Sequence, residues 1–157
     1  MKKFMRERGQ SLVELGISLL ILMYLLSGAA EFGVLFFQFV QLRDAAQEGA
    51  LYGSMNPYID SVVADGKFTL TEPVNQAGIE SRVRAASSSP INLQDPSVEV
   101  YATSSDGSNM FCEGHGIQVE GRFTHHIFMP FIPTLIGRTD IPLSATVVDT
   151  ILTPLCP

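Results

Sequence analysis

Residues 6–32 read RERGQSLVELGISLLILMYLLSGAAEF, and this stretch decides the architecture of the chain. Between Glu14 and Glu31 lie sixteen uncharged residues, enough for about 24 Å of helix. The apolar pattern then continues through FGVLFFQFVQL, so that residues 12–42 would form about 46 Å of helix, against roughly 30 Å of bilayer hydrocarbon. The sequence therefore predicts a membrane-spanning N-terminal helix.

Charge predicts the orientation of this helix. Of 10 basic and 16 acidic residues, four basic and one acidic precede Gln10, which leaves six basic and fifteen acidic residues in the remainder. Basic flanks stay in the cytoplasm, so we expect a single-pass membrane protein with a cytoplasmic N-terminus and an extracytoplasmic C-terminal domain. The acidic remainder argues against a nucleic-acid partner.

A cleaved secretory signal peptide is the alternative interpretation of the same stretch. Gly28 and Ala30 are small residues at a plausible signal-peptidase site before Glu31. No polar region or helix breaker precedes that site, however, and a product beginning EFGVLFFQFVQL would expose a large apolar surface. The membrane-spanning interpretation is therefore preferred.

Glu14 is the chemically conspicuous residue of the helix. A carboxylate in the middle of a bilayer costs about 2.5–3.5 kcal/mol on insertion scales. Glu14 either reaches the nearby headgroups or has a compensating charge. If a peptidase cut after Gly9, the new α-amine of Gln10 would lie about one helical turn from Glu14, and a neighbouring copy could pair its amine with this carboxylate.

Residues 8–54, RGQSLVELGISLLILMYLLSGAAEFGVLFFQFVQLRDAAQEGALYGS, resemble the TadE-like family of tight-adherence pilus systems. The likeness lies in the G-Q-x-x-V-E opening, the E-F-G that follows the apolar helix and the A-A-x-E-G-A-x-Y-G segment. The resemblance implies a non-enzymatic, type IV pilin-like pseudopilin, processed after Gly9 by a prepilin peptidase. Its implied partners are the membrane, other pilin-like subunits and the Flp-type pilus assembly machinery. A plain membrane-anchored binding or sensing domain, with no leader cleavage and no use for Glu14, is the competing hypothesis.

Small residues recur at four-residue spacing along the helix. Ala29 and Gly33 fall in the apolar part, where small residues let membrane helices approach closely, unless the spacing is incidental. Ala45, Gly49 and Gly53 follow beyond it, and either pack under the chain's own sheet or another subunit, or belong to a helix that frays and ends at Gly53. For Glu31 we expect either a boundary charge that reaches the outer headgroups or a contact between subunits.

The remainder of the sequence predicts a small α+β domain after the long transmembrane helix, with an antiparallel sheet of three to four strands. We divide the chain into a basic leader at 1–9, a long helix at 10–54 with its membrane part at about 12–35, and an extracytoplasmic domain at 55–157. Within that domain the patterns indicate a loop at 56–72 with a helical turn at 59–63, followed by an amphipathic helix at 73–86. One face of this helix carries Val74, Ala77, Val83 and Ala86. Three strands with alternating apolar residues follow at 97–103, 117–128 and 141–152.

The two cysteines fit a pairing of the last two strands. If those strands turn around positions 134–135, partner numbers sum to about 269, and Cys112 and Cys156 sum to 268. A disulfide is therefore predicted, worth roughly 3–4 kcal/mol in the chain-entropy model. His125 and His126 point to opposite faces of a strand and read as ordinary surface residues, so no metal site is predicted. The serines lack a nucleophile elbow, and no phosphate-binding loop is present, so we expect no enzyme activity, cofactor or small-molecule substrate.

Overall fold

An uninterrupted α-helix opens the fold in a computed structural model of the chain, which describes residues 3–58, 61–64, 67–70, 74–107 and 111–153. Within these residues eight elements follow one another in chain order: α1 (Lys3–Met55), β1 (Ser61–Ala64), β2 (Lys67–Leu70), α2 (Gln76–Ala85), β3 (Glu99–Ser104), β4 (Gly116–His126), α3 (Ile132–Ile136) and β5 (Asp140–Thr150). Strands β3, β4 and β5 form a three-stranded antiparallel sheet in that order. The predicted α+β class, with a long N-terminal helix and a small sheet domain, is confirmed.

The elements distribute over two compact units. The first contains the chain up to Phe36 together with His126–Ile141, and the second contains Phe37–His125 with the residues from Pro142 onward. The first unit therefore consists of the apolar part of α1 and the connection between β4 and β5. The hydrophobic core lies in the second unit.

That core forms where three apolar rows meet. Alternating residues of β3, β4 and β5 supply one row each, as the period of two predicts, and α1 and α2 contribute their own apolar faces. Side chains that are at most 2% exposed include Leu42, Ala46, Ala50, Ile79, Val83, Val98, Ile117, Val119 and Ile151.

Helix α2 begins at Gln76, three residues after the predicted start at residue 73, because Asn75 caps it. The Asn75 side chain accepts a hydrogen bond from the backbone N–H three residues on, which fixes the first turn. Its buried residues are Ile79 and Val83, one turn apart. The predicted face is wrong in part, since Ala77 and Ala86 are exposed; a methyl group buries too little area to set the rotation of the helix.

The segment predicted as a loop with a helical turn is instead a β-hairpin. Strands β1 and β2 pair antiparallel from Ser61↔Leu70 to Ala64↔Lys67. Of the predicted turn at 59–63, residues 61–63 are strand, and 59 and 60 lie outside the described residues. Two short runs with β-branched and aromatic residues, joined by the sequence Asp-Gly, carry the hairpin signal that the sequence-based interpretation missed.

The pairing of β4 with β5 differs from the predicted register. Ile127 N–H donates to the carbonyl of Thr139, and Ile151 N–H donates to the carbonyl of His115, so both pairs sum to 266 rather than 269. The reversal is not a tight turn: it contains α3, whose end is set by Gly137 at φ 69°. Cys156 lies outside the described residues, and the disulfide with Cys112 therefore stays a prediction.

Candidate functional site in the N-terminal helix

The apolar part of α1 leaves its side chains uncovered within the first unit. From Leu12 to Leu26 the large apolar side chains are exposed, with Leu12 at 72% and Leu25 at 67%. The helix from Gly9 to Met55 is long and apolar enough to cross a membrane. An apolar surface of this extent marks contact with lipid or with other apolar helices rather than with water.

Glu14 interrupts this surface near its beginning. Gly9, Gln10 and Glu14 all lie on the exposed helix, and Gln10 precedes Glu14 by one turn. Glu14 has no hydrogen-bond or ion-pair partner among the residues that the structure describes. Its carboxylate is therefore available to a group from outside the chain, which is the condition that pairing with a processed N-terminus requires.

Glu31 has a different environment, since it is only 4% exposed. Its carboxylate accepts hydrogen bonds from the backbone N–H groups of Phe128 at 3.4 Å and Met129 at 3.2 Å. These residues begin the connection between β4 and β5, which we call the β4–β5 loop (residues 127–139). In the structure the chain's own loop covers this carboxylate, an arrangement that neither expectation for Glu31 included.

The β4–β5 loop contacts α1 over two further turns below Glu31. The rings of Tyr24 and Phe131 lie 5.3 Å apart at 58°. A Cβ atom built on Gly28 would lie 3.9 Å from Ile132 Cδ1, so this glycine admits the loop into van der Waals contact. Tyr24, Gly28 and Glu31 thus form one docking face for the loop.

A polar pair closes the base of the loop. The imidazole Nδ1 of His126 is hydrogen-bonded to the carboxylate of Asp140, and the hydroxyl of Thr139 donates to the same carboxylate at 2.9 Å. These hydrogen bonds, the one from His126 first, lower the pKa of Asp140 below its ordinary value. Both side chains of the pair are well exposed, so the base of the loop is a hydrated, polar surface.

The small residues of α1 fall into two groups. A Cβ on Gly49 would lie 2.5 Å from Val83 Cγ2, and one on Gly53 would lie 2.7 Å from Ile117 Cδ1, while Ala45 is 1% exposed. Gly49 and Gly53 pack under α2 and the sheet of their own chain, and Ala45 is buried in the same unit. The alternative of a helix that frays and ends at Gly53 is wrong, since α1 continues to Met55. Ala29 and Gly33 are exposed, and a Cβ on Gly33 would meet nothing within 4 Å.

Comparison with known families gives a match within this helix. Residues 9–51 match the family model of TadE-like proteins. No curated protein and no solved structure gave a significant match. The match fits a role associated with tight-adherence pili, and the family is not known for enzyme activity.

The TadE-like segment, residues 9–51, contains Glu14, Glu31 and most of the small residues discussed above. It includes the open site around Glu14, the exposed pair Ala29 and Gly33, and the packed glycine Gly49. Gly53, both cysteines and the β4–β5 loop lie outside it. The segment therefore combines surfaces that its own chain covers with surfaces that its own chain leaves uncovered.

Glu31→Ala is expected to release the β4–β5 loop from the TadE-like segment. The substitution leaves two N–H groups without their acceptor, at about 1–3 kcal/mol for each buried donor. Hydrogen exchange of the detergent-solubilised full chain should show faster exchange at residues 127–137, with unchanged protection in β3. Glu31→Gln retains one acceptor oxygen, so the exchange rate at residues 127–137 should lie between those of the parent chain and Glu31→Ala.

Glu48→Ala is the matched control, because Glu48 is an exposed glutamate of the same helix. It should leave the exchange of the loop as in the parent chain. Unchanged protection of residues 127–137 in Glu31→Ala would show that the carboxylate does not hold the loop.

Two functional features escaped the sequence-based interpretation. The sequence-based interpretation predicted a simple turn for the β4–β5 loop, although IFMPFIPTLI contains seven large apolar residues, an unusual density for a connection between strands. His125 was assigned to the surface but is 3% exposed. Its odd-numbered position continues the inward row of β4 after Val119 and Phe123, and that register was the available signal.

Proposed function

We propose that this chain is a pseudopilin, a non-enzymatic pilin-like component that acts in the assembly of an Flp-type, tight-adherence pilus. The match of residues 9–51 to the TadE-like family carries the proposal. The exposed apolar surface of α1 and the unpartnered Glu14 support it, since a helix that assembles with similar helices needs both an uncovered surface and a recognition group.

In this proposal a prepilin peptidase cuts between Gly9 and Gln10. The basic leader stays in the cytoplasm before cleavage, and the domain after α1 lies outside the membrane. The new α-amine of Gln10 is an ammonium group that lies about one helical turn from Glu14 of its own chain. It pairs with Glu14 of a neighbouring helix. Opposite charges that meet in a low dielectric form a strong, geometrically selective pair, which sets the axial register of adjacent subunits.

Ala29 and Gly33 serve the same assembly on another part of the helix. Both are exposed, and the missing side chain of Gly33 leaves open space beside the backbone. A pilin-like helix can approach such a surface closely without displacing any part of this chain. The partners in this proposal are therefore the membrane, the peptidase, other pilin-like subunits and the assembly machinery.

N-terminal sequencing of the protein extracted from membranes of pilus-producing cells tests the proposal. The expected N-terminus is Gln10. Gly9→Val should retain the leader, because a β-branched side chain then occupies the residue before the cut. Gly16→Val is the matched control: a Cβ at either glycine meets nothing within 4 Å, so both variants should fold and insert alike.

An intact leader in the unmodified protein would instead support the competing hypothesis of a membrane-anchored binding or sensing domain. An N-terminus at Glu31 would indicate cleavage by signal peptidase and would contradict the proposal equally.

A further inference from the structure

The β4–β5 loop exposes large apolar side chains although it connects two strands of a small domain. The exposed fractions are 55% for Phe128, 44% for Phe131, 75% for Leu135 and 47% for Ile136. Ordinary connections between strands are polar and hydrated. Four large apolar groups gathered on one short connection indicate an apolar surrounding.

The position of the loop on α1 supplies that surrounding. Its contacts are with Tyr24, Gly28 and Glu31, of which the first two belong to the uncharged run that follows Glu14. Tyr24 lies ten residues beyond Glu14, or about 15 Å along the helix, and Glu31 about 25 Å along it. A hydrocarbon layer of roughly 30 Å that begins near Glu14 therefore includes the docking face.

Several backbone N–H groups of the loop have partners within the chain, as a segment in hydrocarbon requires. Lipid offers no partners for N–H groups, so a non-helical segment at that depth must satisfy them internally. Two positions carry no N–H at all, Pro130 and Pro133. The N–H groups of Phe128 and Met129 donate to the Glu31 carboxylate. Three further N–H groups donate to backbone carbonyls: Ile127 to Thr139, Ile132 to Met129 and Gly137 to Pro133. The hydroxyl of Thr134 donates to the carbonyl of Phe131.

Glu31 is central to this arrangement. Beneath the loop its carboxylate is shielded from lipid and receives two backbone donors, whereas an uncovered carboxylate would be expelled toward water. The loop thus shields the Glu31 carboxylate from lipid, and the carboxylate accepts two N–H groups of the loop that lipid could not accept. The exposed Arg138 and the polar pair His126–Asp140 mark where this apolar surface ends.

We propose that residues 127–137 of the β4–β5 loop enter the acyl-chain region of the bilayer beside α1, with Phe128, Phe131, Leu135 and Ile136 in contact with lipid. The occupant of this surface is lipid because the exposed side chains of the loop continue the exposed apolar surface of α1 within the same unit. The small domain is then held at the membrane by two elements, the helix and the loop. This second attachment is independent of leader cleavage and of the pilus role.

A tryptophan reporter tests the proposal, because the chain contains no tryptophan of its own. The full-length Leu135→Trp protein is reconstituted into phosphatidylcholine vesicles whose acyl chains carry bromine, a quencher confined to the hydrocarbon. We expect a blue-shifted emission that brominated lipid quenches strongly and aqueous iodide quenches weakly. Ile136→Trp, at a second exposed position of the loop, should behave in the same way.

Tyr101→Trp is the matched control. Tyr101 is 43% exposed on β3, its hydroxyl donates to Glu99, and the guanidinium of Arg122 lies 5.0 Å from its ring, so this position is surrounded by charged groups. Its emission should be red-shifted and quenched mainly by iodide. Iodide quenching of Leu135→Trp equal to that of the control would overturn the proposal. Protection of Leu135→Trp from both quenchers would also overturn it, since protein, such as a second copy of the chain, would then cover the loop.

Discussion

Glu14→Ala is expected to abolish pilus assembly while the protein still enters the membrane. Removing the carboxylate relieves a cost that reaches about 2.5–3.5 kcal/mol in the middle of the bilayer and is smaller near its edge, so insertion should not suffer. In the assembled state the same change leaves an ammonium group of a neighbouring subunit without its partner. Breaking one side of a buried ion pair costs about 3–5 kcal/mol, and the penalty recurs at every such contact.

Electron microscopy of surface pili and alkaline extraction of membranes measure the two effects separately. Asp44→Ala is the control, an exposed carboxylate of α1 outside the motifs that resemble the TadE-like family, and should assemble normally. N-terminal sequencing of Glu14→Ala must show Gln10 as the first residue, because a defect in processing would otherwise mimic a defect in pairing. Normal numbers of pili in a processed Glu14→Ala strain would remove the assigned role of Glu14.

Periodic features of the chain were predictable from the sequence. The uncharged run after Glu14 fixes α1, because no other regular structure satisfies its backbone in an apolar surrounding. The alternation of β3, β4 and β5 puts every second residue on one face of the sheet, and Val100, Ile117 and Leu143 of that face are buried in the structure. Each of these patterns repeats along a single segment, and a repeat can be read without knowledge of what the segment contacts.

The environment of Glu31 could not be predicted in this way. Its two donors are backbone N–H groups that lie 97 and 98 positions later in the sequence. Every residue except proline carries such a donor, so no side-chain type at 128 or 129 announces the contact. A lone carboxylate at the end of an apolar run looks the same whether water, another subunit or its own backbone receives it.

Gln41 illustrates the same limit within the second unit. In the sequence it is a polar interruption of the apolar pattern. In the structure its Nε2 donates to Ser87 Oγ and to the carbonyl of Ser89, both at 2.6 Å, and its Oε1 accepts from the N–H of Ile91. The side chain thereby fastens the segment after α2 to α1, a contact between residues about 50 positions apart that no local pattern encodes.

Gly49→Val is expected to destabilise the second unit strongly. A Cβ at this position would lie 2.5 Å from Val83 Cγ2 and 3.4 Å from both Ile79 Cγ2 and Val119 Cγ1. Val83 cannot swing aside, because a β-branched side chain in a helix has essentially one χ1 rotamer. Overpacking costs about 1–3 kcal/mol, and the two methyl groups of valine place the expected loss in the free energy of unfolding at the upper end of that range.

Gly33→Val separates this steric effect from helix propensity. Both glycines lie inside α1, so the same substitution changes the intrinsic preference for helix equally, but a Cβ at Gly33 meets nothing within 4 Å. Denaturant unfolding of the full chain in detergent should therefore give a lower midpoint for Gly49→Val than for the parent, and an equal or slightly higher one for Gly33→Val. Equal midpoints for the two variants would mean that α1 does not approach α2 as closely as Gly49 allows. A loss of pilus assembly in Gly33→Val, without a lower midpoint, would assign the open face at Gly33 to a contact with a neighbouring helix.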